Sequence, residues 1–204
     1  MNWLAHAFLS EDYIDFKIGN ILADPLKARP WENSSIYIRN GMKTHIKIDT
    51  FTDSNEIVRK SKKRLREKGL LKPVIIDLTY DYLLTKNWHL YSNISIEKFT
   101  NNFYIKANER LDFFPSRANE IVTNLIKRDL LNDYHTLEQL NKSFKRMDLR
   151  LSQRLRKRET ASEYFQTVCT NIDEIEKDFL EFFPLLCKNI KKDLDQSKLS
   201  HWKI

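Results

Sequence analysis

Apolar residues along this chain recur at helical spacing, in runs separated by prolines, glycines and capping patterns, and the pattern predicts a succession of helices. The first, Asn2 to Ser10, sets Trp3, Leu4, Phe8 and Leu9 around His6. Tyr13 to Asp24 reads as a short helix or turn that stops at Pro25 and leads into a loop lasting past Pro30. A helix over Ser34 to Thr50 carries His45 and Asp49. The next begins near Asp53, which with Glu56 resembles a capping box, and Gly69 ends it. Pro73 opens a helix to about Trp88 that carries Asp77 and Asp81. Ser95 to Phe114 ends at Pro115, and Ser116 is placed to cap a helix to about Leu131. Thr136 with Gln139, and Thr160 with Glu163, form two further capping-box patterns. Pro184 bends or restarts the last helix, whose Phe182, Phe183, Leu185 and Leu186 are core positions. The result is an all-α helical bundle of roughly eight to ten helices.

Composition agrees with that picture. The 204 residues include only three Gly and five Pro, which fits a helical protein better than a turn-rich sandwich or barrel. No Gly/Ser/Pro-rich linker divides the chain, so residues 1–204 read as one compact domain. Cys169 and Cys187 lack the close spacing of a zinc or redox motif and read as reduced core or boundary residues. No apolar run approaches membrane-spanning length, and the first residues are too polar for a signal peptide. A cytoplasmic protein without a membrane partner is expected. The net charge of +7 resides mainly in two clusters, Arg59 to Lys68 and Lys145 to Arg158. Such clusters attract a polyanion, or are simply solvated helix faces.

The candidate chemistry lies in residues 1–90. Asn20 and Asp24, His45 and Asp49, and Asp77 and Asp81 are each four residues apart, so each pair shares a helix face. Ile46, Ile48, Val74, Ile75, Ile76 and Leu78 beside them turn these segments inward, where an unpaired carboxylate is costly. A divalent metal among them is the economical solution, and imidazole with carboxylate but no thiolate favours Mn²⁺, Mg²⁺ or Fe²⁺ over a structural zinc. A metal supplies a nucleophilic water and charge neutralisation, the needs of phosphate-ester hydrolysis. Two packed helices could present His45, Asp49, Asp77 and Asp81 together, with Asp24 approaching from a third. Each residue also has a plainer reading. His45 could be a hydrogen-bonded core histidine, Asp77 a helix-dipole partner and Asn20 a turn residue. His89, His135 and His201 have no partner at useful spacing and read as surface or interface residues.

At these residues the chain resembles the bacterial acyl carrier protein phosphodiesterases. The resembling pieces are MNWLAH at Met1 to His6, GNILAD at Gly19 to Asp24, GMKTHIKIDTFTD at Gly41 to Asp53 and IDLTYDYLLTKNW at Ile76 to Trp88. The resemblance implies removal of 4'-phosphopantetheine from holo acyl carrier protein by a divergent relative of the HD-type metal phosphohydrolases, with Mn²⁺ as the preferred metal. It implies Asp24 as the leading catalytic and metal-binding acid, with His45, Asp49 and Asp81 as partners. His6 and Asp77 follow, as ligands or as groups orienting them. The adjacent His-Asp pair of ordinary HD enzymes is absent, since Ile46, Lys47 and Ile48 separate His45 from Asp49. Acyl carrier proteins are small and strongly acidic, which makes Arg59, Lys60, Lys62, Lys63 and Arg64 the expected docking face. Arg150, Arg154 and Arg158, four residues apart, form a second stripe. The rival readings are an HD-like hydrolase of a nucleotide or other small phosphodiester, and a basic helical nucleic-acid binder. No nucleic-acid-binding motif interleaves the basic residues, so nucleic acid is not the expected partner.

Overall fold

A computed structural model describes residues 1–204. Its α-helices are α1 (Trp3–Phe8), α2 (Ile14–Leu22), α3 (Ile36–Ser54), α4 (Glu56–Leu65), α5 (Lys72–Lys86), α6 (Trp88–Tyr91), α7 (Ile96–Asn108), α8 (Ser116–Lys127), α9 (Leu137–Arg150), α10 (Gln153–Arg156) and α11 (Phe165–Lys191). There is no strand beyond a single bridge between Ser92 and Trp202, so the all-α class expected from the periodicity is observed. No helix is long and apolar enough to cross a membrane.

The core is one contiguous apolar cluster built around α11, where Val168, Ile175, Phe179, Phe182, Phe183 and Leu186 have no exposed surface. Pro184 does not interrupt this helix. An interior proline costs about 3 kcal/mol. The buried Phe182, Phe183 and Leu186 side chains around it each return roughly 1.5–3 kcal/mol, so α11 keeps its course. Leu185, expected in the core, faces solvent instead.

Several boundaries differ from the sequence reading. Asp53 does not open α4, because α3 continues through it. Asn55 takes the cap, its side-chain oxygen accepting from the Ile57 amide, while Asp53 pairs with Lys62. Ser116 is the first helical residue of α8 rather than its cap. Thr136 and Gln139 form the expected capping box. Thr160 and Glu163 do not, since the Ala161 and Ser162 amides donate to the buried Asp148 carboxylate and a 3-10 turn leads into α11. The proposed Arg150, Arg154, Arg158 stripe is broken by the extended Leu151, where α9 ends and Ser152 caps α10.

Two helix contacts position the functional residues. α2 and α3 touch backbone to backbone: a Cβ on Gly19 would lie 2.2 Å from the Ile38 carbonyl oxygen, and one on Gly41 2.1 Å from that of Phe16. Only glycine permits this approach. At the C-terminal end, the ring N–H groups of His201 and Trp202 both donate to the Phe8 carbonyl, at 2.9 Å each, clamping the end of α1. His201 is therefore buried within the chain, not the surface or interface residue its isolation in the sequence implied.

Candidate metal centre

His6 on α1 and His45 on α3 stack face to face, ring centroids 4.0 Å apart. Asn20 on α2, fully buried, fixes both rings. Its side-chain amide donates to the His6 carbonyl and to Ser10 Oγ, both at 2.9 Å, which orients its oxygen toward His6 Nδ1 at 2.8 Å. Its backbone carbonyl lies 2.7 Å from His45 Nδ1. Both Nδ1 atoms must therefore carry the proton and donate, leaving both Nε2 atoms to face the site.

What those Nε2 atoms meet is informative. His6 Nε2 faces the Met1 carbonyl at 3.1 Å and Asp49 Oδ1 at 3.3 Å. His45 Nε2 faces Asp24 Oδ1 at 3.1 Å and Asp49 Oδ2 at 3.0 Å. A neutral imidazole would aim its lone pair at acceptors in both cases. The cluster thus requires a cation, either a proton or a metal. For His45, burial opposes protonation, but the hydrogen bonds to Asp24 and Asp49 outweigh it and raise its pKa to about 9. His6 goes the other way, lowered by burial and by the adjacent His45 charge. Asp49 is held well below the usual carboxylate range, the two imidazoles overcoming the effect of its burial. Asp24 is lowered chiefly by its hydrogen bond from His45.

His6, His45 and Asp49 each offer a ligand atom, all within 4.8 Å of one another. Imidazole Nε2 lone pairs whose Nδ1–H groups are tied to carbonyl oxygens are an arrangement found at metal-binding histidines, and the donor set fits a divalent cation. Asp24 sits beside them in the turn after α2, exposed at the rim of a recess that His45, Asp49 and Asp53 also line. Lys27 and Ala28 close that turn in left-handed conformations, φ 53° and 51°, a strain that concentrates at functional sites.

The α5 carboxylates are placed differently from His45 and Asp49. Asp81 is fully buried and accepts the Leu4 amide at 2.9 Å and the Asn2 amide at 3.3 Å, capping the start of α1 from another helix. Burial raises its pKa to about 7 despite those bonds and the nearby Met1 amino group. Asp77 pairs with the Met1 amino group at 2.8 Å, and Asp49 lies 3.8 Å from the same nitrogen. Asp77 thus reaches the centre through Met1. Asn20, whose plainer reading from the sequence was a turn residue, instead holds the Nδ1–H groups of both histidines. The signal was its helical register with Asp24, but its partner His6 lies fourteen residues upstream on another helix.

On α4, four of the five expected docking cations have internal partners. Lys60 and Arg64 pair with buried Asp178, Arg59 with Glu56 and Lys62 with Asp53. Lys63 has none.

The sequence profile of a family described as acyl carrier protein phosphodiesterase matches residues 1–186. Curated proteins named acyl carrier protein phosphodiesterase are similar along nearly their whole length. That of Serratia proteamaculans is 25% identical over 193 residues, covering 94% of this chain and 98% of its own. That of Enterobacter sp. is 23% identical over 193 residues, with the same coverage. That of Photorhabdus laumondii is 23% identical over 188 residues, covering 91% of this chain and 93% of its own. No solved structure matches the chain.

Proposed function

Because the chain belongs to the acyl carrier protein phosphodiesterase family, we propose that it hydrolyses the phosphodiester of holo acyl carrier protein with a divalent cation held by His6, His45, Asp49 and Asp24. Water adds to phosphorus, the bond from phosphorus to the carrier serine oxygen breaks, and that oxygen takes up a proton. The products are apo carrier and 4'-phosphopantetheine. Mn²⁺ is the proposed cation, in keeping with nitrogen and oxygen donors and no thiolate.

The observation that carries this reading is the pair of Nε2 atoms, each aimed at acceptor oxygens while Asn20 holds both Nδ1–H groups. A bound divalent cation lowers the pKa of water and neutralises phosphoryl charge. The chain's own residues do the rest. His45, Asp24 and Asp49 would hold the cation where they otherwise hold a proton on His45 Nε2, so cation affinity is expected to rise with pH. Asp24 would hold the cation through the oxygen that faces His45, while its second oxygen, exposed at the rim, accepts a hydrogen bond from the attacking water. Asp81 and Asp77 hold the N-terminal end of α1, and with it His6, against α5.

Intact-mass spectrometry of holo carrier incubated with the protein and Mn²⁺ tests the reading. Loss of the phosphopantetheine mass, stopped by a chelator and by Asp49→Ala or Asp24→Ala, is the expected result. A carrier mass unchanged by the wild-type protein would overturn it.

A further inference from the structure

Beside the metal centre, between the N-terminal end of α1, α5, α8 and α9, lies a cleft of about 640 Å³, within the range of small-molecule sites. Asp24 lines both this cleft and the recess of the metal centre, so the two spaces meet at that carboxylate. We infer that this cleft receives the pantetheine arm of the carrier and that Arg128 and Arg150 at its rim dock the acidic carrier itself. The inference rests on the proposed hydrolysis of holo carrier.

The lining fits such an arm, which is uncharged beyond its phosphate and alternates apolar groups with amides. Trp3, Val74, Leu78, Ile121 and Met147 supply apolar contact, while Asn124 offers an exposed amide. With the phosphodiester at Asp24, the arm would extend along the cleft and away from the recess.

The rim supplies the charge. Arg117 is paired with Glu120, and Arg146 with Asp133 and Ser143. Arg128 and Arg150 are exposed and make no side-chain hydrogen bond or ion pair, leaving two uncompensated positive charges at the mouth. Cations without internal partners act fully on an approaching acidic surface, whereas those already paired contribute little. This shifts the weight of docking from α4, where only Lys63 lacks a partner, to α8 and α9.

Steady-state release of phosphopantetheine from holo carrier in Mn²⁺ provides the test. An Arg128→Glu/Arg150→Glu variant is expected to raise KM at least about tenfold with kcat within about twofold, and to flatten the rise of KM with salt. A Lys62→Glu/Lys63→Glu variant should change KM by less than about threefold. Met147→Trp, or Ile121→Trp if the first melts early, fills the floor. Either should raise KM for holo carrier while leaving inhibition by apo carrier, which lacks the arm, unchanged. Unaltered KM in the arginine variant, or a larger effect from the α4 variant, overturns the docking assignment. Equal loss of holo and apo affinity in both tryptophan variants overturns the arm's placement. If the wild-type protein releases no phosphopantetheine, the functional reading falls first, a result distinct from the others because it appears without any substitution.

Discussion

Replacing Asn20 with alanine should separate the positioning of His6 from that of His45. The substitution removes the oxygen that accepts from His6 Nδ1 at 2.8 Å and the amide that holds the His6 carbonyl and Ser10, all fully buried. A buried N–H left without an acceptor costs roughly 1–3 kcal/mol, and the truncation void adds on the order of 1 kcal/mol. Ser10 Oγ still donates to the His6 carbonyl, so that acceptor is not orphaned. The total, on the order of 2–4 kcal/mol, lowers the melting temperature by roughly 5–15 °C for a chain of this size. His45 keeps its hydrogen bond, because that acceptor is the Asn20 backbone. Loss of an outer-shell partner weakens metal binding by roughly 10–100-fold, so Mn²⁺ affinity should fall by that factor rather than vanish. Calorimetric titration with Mn²⁺ and thermal melts of the same samples read both quantities, with Thr100→Ala, which removes a buried hydroxyl on α7, as a control that loses stability but keeps affinity. Wild-type Mn²⁺ affinity in a destabilised Asn20→Ala protein would refute the reasoning, since Asn20 would then be a core residue and His6 no ligand.

Asp81→Asn keeps one acceptor oxygen but turns an NH2 toward the other α1 amide, so it should cost stability yet bind Mn²⁺ within about threefold of wild type, whereas Asp81→Leu orphans both amides at roughly 1–3 kcal/mol each, measured by denaturant unfolding. Gly41→Ala pushes a methyl into the Phe16 carbonyl and should cost at least about 2 kcal/mol, with loss of activity as α2 and Asn20 move off α3. His201 titrates near 4 in the folded protein because burial, and Lys17 nearby, disfavour its charged form. The unfolded chain takes up that proton first, so the stabilisation is complete above about pH 6.5, declines as the pH falls toward 4 and is constant below. Its size is on the order of 3 kcal/mol. Unfolding free energies from pH 7 to 4 should show a shallower decline in His201→Gln, and an unchanged slope would count against the assignment.

The helical class and most element boundaries were legible because they depend on local signals such as periodicity, Pro73 and the Thr136–Gln139 box. Two capping boxes failed, for different reasons. α3 runs on through Asp53, so that Asn55 takes the cap of α4, and the amides near Thr160 are taken by a tertiary partner, Asp148. Within the candidate centre, the meeting of His45 with Asp49 was legible from their i, i+4 spacing. Asp81 shares that spacing with Asp77 yet caps α1, because spacing fixes a face of a helix and not what packs on it. The role of Asn20 depends on α2 lying within backbone contact of α3, which Gly19 and Gly41 permit but do not announce. The exposed, unpaired state of Arg128 and Arg150 follows from which neighbouring acids are already taken, a property of the fold alone.

Pulsed electron paramagnetic resonance of Mn²⁺-loaded protein carrying ¹⁵N-labelled histidine tests the metal centre most directly. Coupling from two imidazole nitrogens in the wild type, reduced to one in His6→Gln and in His45→Gln, is the predicted result. Coupling unchanged by either substitution, or none at all, would contradict the assignment of the cation to His6 and His45.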